Sequence, residues 1–133
     1  MAIRRLCEAL LAGSRFPMYG DGSQSRDFTY VTDAVDATVR ASQSPRPPAL
    51  VNVGGGEEAT LAGVVAELEA LAGGRVAIDR REAQAGDVRR TGADLACASE
   101  TLGWRPVVRL RDGLRSELDW VARRGRPLRD VAA

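Results

Sequence analysis

The chain of 133 residues contains no lysine and no histidine, so all 19 of its basic residues are arginines. Every mechanism that needs a lysine ammonium is thereby excluded for this chain alone. General acid–base work could fall only to carboxylates, to Tyr19 and Tyr30, or to the thiols of Cys7 and Cys97. The two cysteines lie far apart, neither has a second thiol at metal-site spacing, and no imidazole is present. A disulfide, a zinc site and a cysteine–histidine nucleophile are all poorly supported, and a reducing, cytoplasmic setting fits best. Charge of one sign is also lacking. A net charge of +1 gives no footprint for nucleic acid or for an anionic membrane surface. No apolar run approaches the roughly 20 residues that span a bilayer, and the N-terminus has no cleavage site of the secretory kind.

What is present reads as alternating helices and short strands. Ile3, Leu6, Cys7, Leu10 and Leu11 have helical spacing over residues 2–12, with Gly13 as the stop. Phe16-Pro-Met-Tyr19 suits an edge strand, where the missing proline N–H does no harm. Residues 27–31 form a second extended piece, and Asp33 is expected to N-cap a helix over 34–42. Ser42–Pro48 is a connector. Leu50-Val-Asn-Val53 fits a strand buried on both faces of a parallel sheet. A helix over 60–72 follows, then a strand over 75–79, an irregular stretch over 80–93, and a short helix capped by Asp94 that ends at Leu102. A last helix over about 110–124 stops at Gly125 before Pro127. The arginines at 123, 124, 126 and 129 read as favourable charge at a helix end.

Two glycine-rich stretches compete for attention. Gly54-Gly-Gly56-Glu-Glu-Ala59 satisfies G-x-G-x-x-A and leads through a helix to a strand ending in Asp79, which imitates a dinucleotide fingerprint. Glu57 and Glu58 would repel a pyrophosphate held there, the preceding strand is short, and the further strands of a doubly wound sheet are lacking. The stretch is therefore read as a glycine-rich turn. The other runs from Met18 to Asp33 and contains Gly20-Asp-Gly22 followed by Arg26. Taken alone it is either a surface turn with an exposed arginine or a turn that aims a guanidinium at a phosphate or carboxylate.

Taken in order, Tyr19-Gly-Asp-Gly-Ser-Gln-Ser-Arg-Asp-Phe-Thr-Tyr-Val31, Asn52-Val-Gly54, Gln84-Ala-Gly-Asp-Val88, Thr91-Gly-Ala-Asp94 and Leu102-Gly-Trp-Arg-Pro106 resemble the C-terminal part of the extended short-chain dehydrogenase/reductases. These are the NAD-dependent nucleotide-sugar epimerases and dehydratases. Within them, the chain most resembles UDP-glucuronate 4-epimerases through Arg26–Tyr30, Gln84–Val88 and the Thr91…Asp94 pair. UDP-galactose 4-epimerases and dTDP-glucose 4,6-dehydratases, the alternative parents, usually carry an arginine near Gln84. That departure leaves one phosphate contact without a candidate.

The resemblance implies an α/β fold, α+β as an isolated piece. Residues 1–133 would be a single partial domain that begins mid-protein, without the NAD-binding Rossmann part. It also implies that Arg26 contacts the diphosphate of a UDP-sugar and Asp87 the ribose hydroxyls, with Arg89 near the phosphates and Tyr19 and Gln84 in the same site. NAD is the cofactor of the parent family and is not expected to bind this chain alone. The family's Tyr-x-x-x-Lys pair is absent, so no catalytic residue is assigned. The family reaction passes through a 4-keto sugar, and this chain is expected to be inactive by itself. The alternative is a non-catalytic partner that completes a separately encoded NAD-binding half. Bare apolar faces on helices 34–42 and 60–72 would then drive self-association.

Overall fold

The computed structural model describes residues 2–124. Gly125, Arg126, Pro127 and Arg129, invoked above, lie outside the described residues. Helix α1 (Ala2–Ala12) turns Leu6, Cys7 and Ala9 inward, and an i,i+4 bond from Arg4 Nε to Glu8 at 2.9 Å supports its outer face. Strand β1 (Arg15–Tyr19) buries Phe16 and Met18 and pairs in parallel with β4 (Ala77–Arg81), Phe16 facing Ile78 and Tyr19 facing Arg81. Between them lies α3 (Leu61–Ala72), whose N-cap Thr60 accepts a bond from the Gly63 amide. Helix α5 (Leu110–Arg124) closes the layer. Leu6, Cys7, Phe16, Met18, Val64, Leu68, Leu114 and Val121 form one core. The Cys7 thiol is pushed up to about 12, chiefly by burial, so it packs as a small hydrophobe.

A second, smaller unit hangs beside this core. β2 (Ser25–Asp27) pairs antiparallel with β3 (Glu58–Thr60), and residues 89–91 add to the free edge of β2. Helix α2 (Val31–Gln43) and helix α4 (Ala96–Leu102) clasp Trp104, which is fully buried with Ala37 and Ala98 against Val51 and Val53.

Four expectations need correction. Residues 50–53 form no strand among the described residues, and Leu50 is 82% exposed. The apolar run has no strand beside it to pair with, and Val51 and Val53 pack against the Trp104 cluster instead. Asp33 does not cap α2. The helix begins at Val31 with Tyr30 as N-cap and no side-chain capping bond, and Asp33 is 3% exposed. Its Oδ2 accepts bonds from the amides of Val107 at 3.2 Å and Val108 at 3.0 Å. Asp94 accepts from the Ala96 amide at 2.9 Å, but the N-cap residue of α4 is Leu95. Finally, the apolar face of α3 is not bare, because α1 and α5 cover Val64, Val65 and Leu68. Of the two helices expected to be bare, α2 does keep an exposed apolar stripe, Val31, Val35 and Val39.

The buried Asp33 pins the 107–108 segment to α2 across the fold. Asp33→Ala leaves two half-buried amides without their acceptor and is expected to cost about 2–4 kcal/mol. Asp33→Asn keeps one acceptor oxygen and loses less. Urea denaturation at constant m-value measures both, and an Ala variant as stable as the parent contradicts this role.

Candidate functional site

The turn after β1 is built by short-range hydrogen bonding. Asp21 Oδ1 accepts from the Ser23 amide at 2.9 Å and from Ser23 Oγ at 2.6 Å, and these bonds hold the Asp21 carboxyl below the usual carboxylate range. Gln24 Nε2 donates to the Tyr19 carbonyl at 3.0 Å, closing the loop. Gly22 has φ +84°, and a Cβ there would meet Met18 Sδ at 2.9 Å. The turn also docks on α3: the Leu61 amide donates to the Gln24 carbonyl and the Ala62 amide to the Gly22 carbonyl. With Thr60 Oγ1 taking the Gly63 amide, the first three amides of α3 are all committed.

This arrangement delivers Arg26 on β2 to the rim of a cleft of 540 Å³. Its floor is apolar, with Phe16, Phe28 and Leu61. Its polar rim carries Tyr19, Gln24 and Arg26 on one side and Gln84 and Asp87 on the other. Arg26 donates from Nη1 to the Ser25 carbonyl at 2.7 Å and from Nη2 to Asp87 Oδ1 at 2.5 Å. The Asp87 amide in turn donates to the Gln84 carbonyl at 3.2 Å, a tight turn that brings both side chains to the cleft. Tyr19 lies beneath the Arg81 guanidinium, 6.0 Å from ring centroid to Cζ, and Arg81 is itself anchored by Asp79 at 3.0 Å.

Four of the five residues proposed from sequence therefore meet at one site: Tyr19, Arg26, Gln84 and Asp87. Arg89 does not line the cleft. It is exposed, and its carbonyl accepts from the Ser25 amide, so its described role is to add an edge to β2. Sequence reasoning missed Arg5 and Gln24. Arg5 lies off the apolar stripe of α1, and only the packing of that helix beside β1 brings it to the cleft. Gln24 sits inside the glycine-punctuated turn, where its contact with the Tyr19 carbonyl gives no periodic signal.

The glycine run at 54–56 has another use. Gly55 donates its amide to Asp27 Oδ1 at 2.6 Å, while Asp27 Oδ2 accepts from the Ala93 amide at 3.3 Å. A Cβ on Gly54 would sit 2.3 Å from Asp27 Oδ2, and one on Gly55 would sit 2.0 Å from the Phe28 carbonyl oxygen. The glycines are there because backbone and carboxylate approach too closely for any side chain. Strand β3 intervenes between them and α3, so the run does not open a helix N-terminus, and the leading amides of α3 are already taken. The glycine run is therefore a close-packed turn and not the opening of a helix that could hold a pyrophosphate. Nor does any group of three or more potential ligands stand ready to hold a metal among the described residues.

Beside the run, Glu58 receives two bonds from Arg90, at 2.7 and 2.8 Å, and one from Ser25 Oγ at 3.3 Å. These bonds, Arg90's first, lower the Glu58 pKa from the ordinary 4.5. A depressed folded-state pKa contributes stability that is present above the unfolded value and is lost as pH falls through the folded one. The gap in melting temperature between the parent and Glu58→Gln should therefore close below pH 4.5. High salt should narrow the gap as well, because the pair is exposed. A gap independent of pH contradicts the ion pair's contribution.

Comparison with known proteins places the chain in a family. A family model described as GDP-mannose 4,6 dehydratase matches residues 2–117. The UDP-glucose 4-epimerase of Mycolicibacterium smegmatis is 40% identical over 117 residues, covering 85% of this chain and 36% of that protein. The UDP-glucuronate 4-epimerase of Thermodesulfobacterium geofontis is 31% identical over 121 residues, covering 90% of this chain and 37% of that protein. The crystal structure of UDP-glucuronic acid 4-epimerase from Bacillus cereus, in complex with UDP-glucuronic acid and NAD, superposes with a TM-score of 0.89 at 33% identity. That match covers 92% of this chain and 40% of the other. The chain belongs to the family of NAD-dependent nucleotide-sugar epimerases and dehydratases, of the extended short-chain dehydrogenase/reductase type. It corresponds to their C-terminal part and spans about two fifths of the length of these relatives.

Proposed function

We propose that this chain is the nucleotide-sugar grip of a UDP-sugar epimerase, with the redox chemistry performed outside it. The observation that carries this reading is the convergence of Tyr19, Arg26, Gln84 and Asp87, three separated stretches of sequence, on one cleft. A planar guanidinium suits a diphosphate, which it can grip through paired N–H bonds. A carboxylate one hydrogen bond away suits the vicinal hydroxyls of a ribose, and the apolar floor suits the flat faces of a base. Arg5 supplies a second positive charge to the same cleft, which offsets the lack of an arginine near Gln84.

The parent reaction best supported is C4 epimerisation of a UDP-sugar through a 4-keto intermediate, because UDP-glucose and UDP-glucuronate 4-epimerases are among the relatives. On this reading the chain binds and orients. It has no lysine or histidine to move a proton, and the dinucleotide site lies outside it. Isothermal titration calorimetry tests this directly. UDP and UDP-glucuronate should bind, NAD should not, and the isolated chain should show no turnover. Tight NAD binding, or turnover, overturns it.

A second reading concerns a partner. The valine stripe of α2 is exposed at 63, 55 and 44% for Val31, Val35 and Val39. It adjoins the unpaired 50–53 segment through the cluster of Ala37, Val51 and Val53. An extended segment without a sheet neighbour beside a bare helical face suits the edge and face of a sheet supplied by an NAD-binding half. In its absence the same face should drive self-association, and a strict monomer by size-exclusion chromatography argues against it. No helix among the described residues is long and apolar enough to cross a membrane.

A further inference from the structure

We infer that Arg26 and Asp87 form a latch that holds the 82–88 segment across the cleft, and that a nucleoside diphosphate opens it by exchanging a phosphate for the Asp87 carboxylate. The inference rests on the reading of the cleft as a nucleotide-sugar site, and it adds how that site changes on binding. Strand β4 ends at Arg81, whose carbonyl takes the Gly20 amide, and the chain rejoins β2 at Arg89. Every residue from Glu82 to Val88 is exposed. The hydrogen bond from Arg26 to Asp87 is the one side-chain bond among the described residues that ties this segment to the opposite side of the cleft.

The chemistry of the pair makes exchange the natural consequence. Of the two terminal guanidinium nitrogens, Nη1 is held by the Ser25 carbonyl and Nη2 by Asp87. An incoming phosphate oxygen that takes Nη2 meets a carboxylate already there, and two anions on one N–H edge repel. The diphosphate carries more charge and more acceptor atoms than the single carboxylate, so it displaces Asp87. The carboxylate it frees is then available to the ribose hydroxyls. One exchange both exposes the phosphate grip and arms the ribose acceptor. The pair is only partly shielded, its side chains being 27% and 40% exposed, so the latch is weak enough to open.

Calorimetry with inorganic pyrophosphate, uridine and UDP, on the parent chain and on Asp87→Asn, tests the exchange. Asparagine keeps the shape of the segment but removes the competing charge. Pyrophosphate should bind Asp87→Asn about two- to fivefold more tightly than the parent, the scale of a partly exposed ion pair. Uridine, which has no phosphate to open the latch, should not show that gain, and an equal gain for uridine overturns the exchange. Pyrophosphate affinity that is unchanged or lower in the variant overturns the latch and makes Asp87 a residue that positions Arg26. Failure of both proteins to bind pyrophosphate overturns it too. UDP binding by the parent separates the two levels: if UDP binds and the pyrophosphate shift is absent, only the latch falls. If UDP does not bind at all, the reading of the cleft falls with it.

Discussion

Arg26→Ala should lower the affinity of this chain for UDP by about 10–100-fold while leaving its melting temperature almost unchanged. A charge-assisted pair of hydrogen bonds to phosphate is worth about 1.5–3 kcal/mol, and each 1.4 kcal/mol is a factor of ten in affinity. The stability side is small because the ion pair lost in the free chain, to Asp87, joins two partly exposed groups and contributes about 0–1 kcal/mol, and the second bond lost is a local one to the neighbouring Ser25 carbonyl. Arg26→Lys retains the charge without the planar fork and should fall between the two. Calorimetry paired with a thermal melt reads both quantities on one sample. UDP affinity unchanged in Arg26→Ala removes the residue from the site.

Gly55→Ala should unfold the chain or cost more than about 4 kcal/mol, a larger loss than any other single methyl group here should cause. The added Cβ would lie 2.0 Å from the Phe28 carbonyl oxygen and 2.9 Å from its carbon, and both atoms are backbone. Backbone cannot swing aside as a flexible side chain can, and the neighbouring amide of Gly55 is held at 2.6 Å by Asp27. Relief would have to come from moving the Asp27–Phe28 segment, the continuation of the strand that carries Arg26. Gly74→Ala is the matched control, since its Cβ would meet nothing within 4 Å, and it should be neutral or mildly stabilising. Circular dichroism and urea denaturation separate the two variants. Equal stability of Gly55→Ala and Gly74→Ala contradicts the close approach.

These two positions show what a single sequence reveals and what it conceals. The helices at 2–12, 60–72 and 110–124 were legible because their apolar spacing is local, and they appear as Ala2–Ala12, Leu61–Ala72 and Leu110–Arg124. Strand identity depends on a partner far away in sequence. Residues 50–53 have strand-like composition but no neighbouring strand, whereas Glu58–Thr60, preceded by three glycines and Glu57 and with no apolar run, pairs because β2 lies beside it. Asp33 has the chemistry of a helix cap, yet its partners are 74 and 75 residues away. No local rule could supply them.

The site divides along the same line. Arg26 and Asp87 are 61 residues apart, and their motifs identified them through family resemblance before any contact was known. Arg89 follows that motif directly but does not line the cleft, and what the fold uses there is its carbonyl, which accepts the Ser25 amide. Arg5 had no motif at all. Its place in the cleft follows from how α1 packs beside β1, a purely tertiary fact.

The measurement that bears most directly on the central claim is a ¹H–¹⁵N NMR titration of the chain with UDP. Shifts should concentrate at Tyr19, Gln24, Arg26 and Gln84–Asp87, with the amides of Gly54–Glu57 undisturbed. Shifts concentrated at Gly54–Glu57 and the start of α3 instead would place the nucleotide at the glycine run and contradict it.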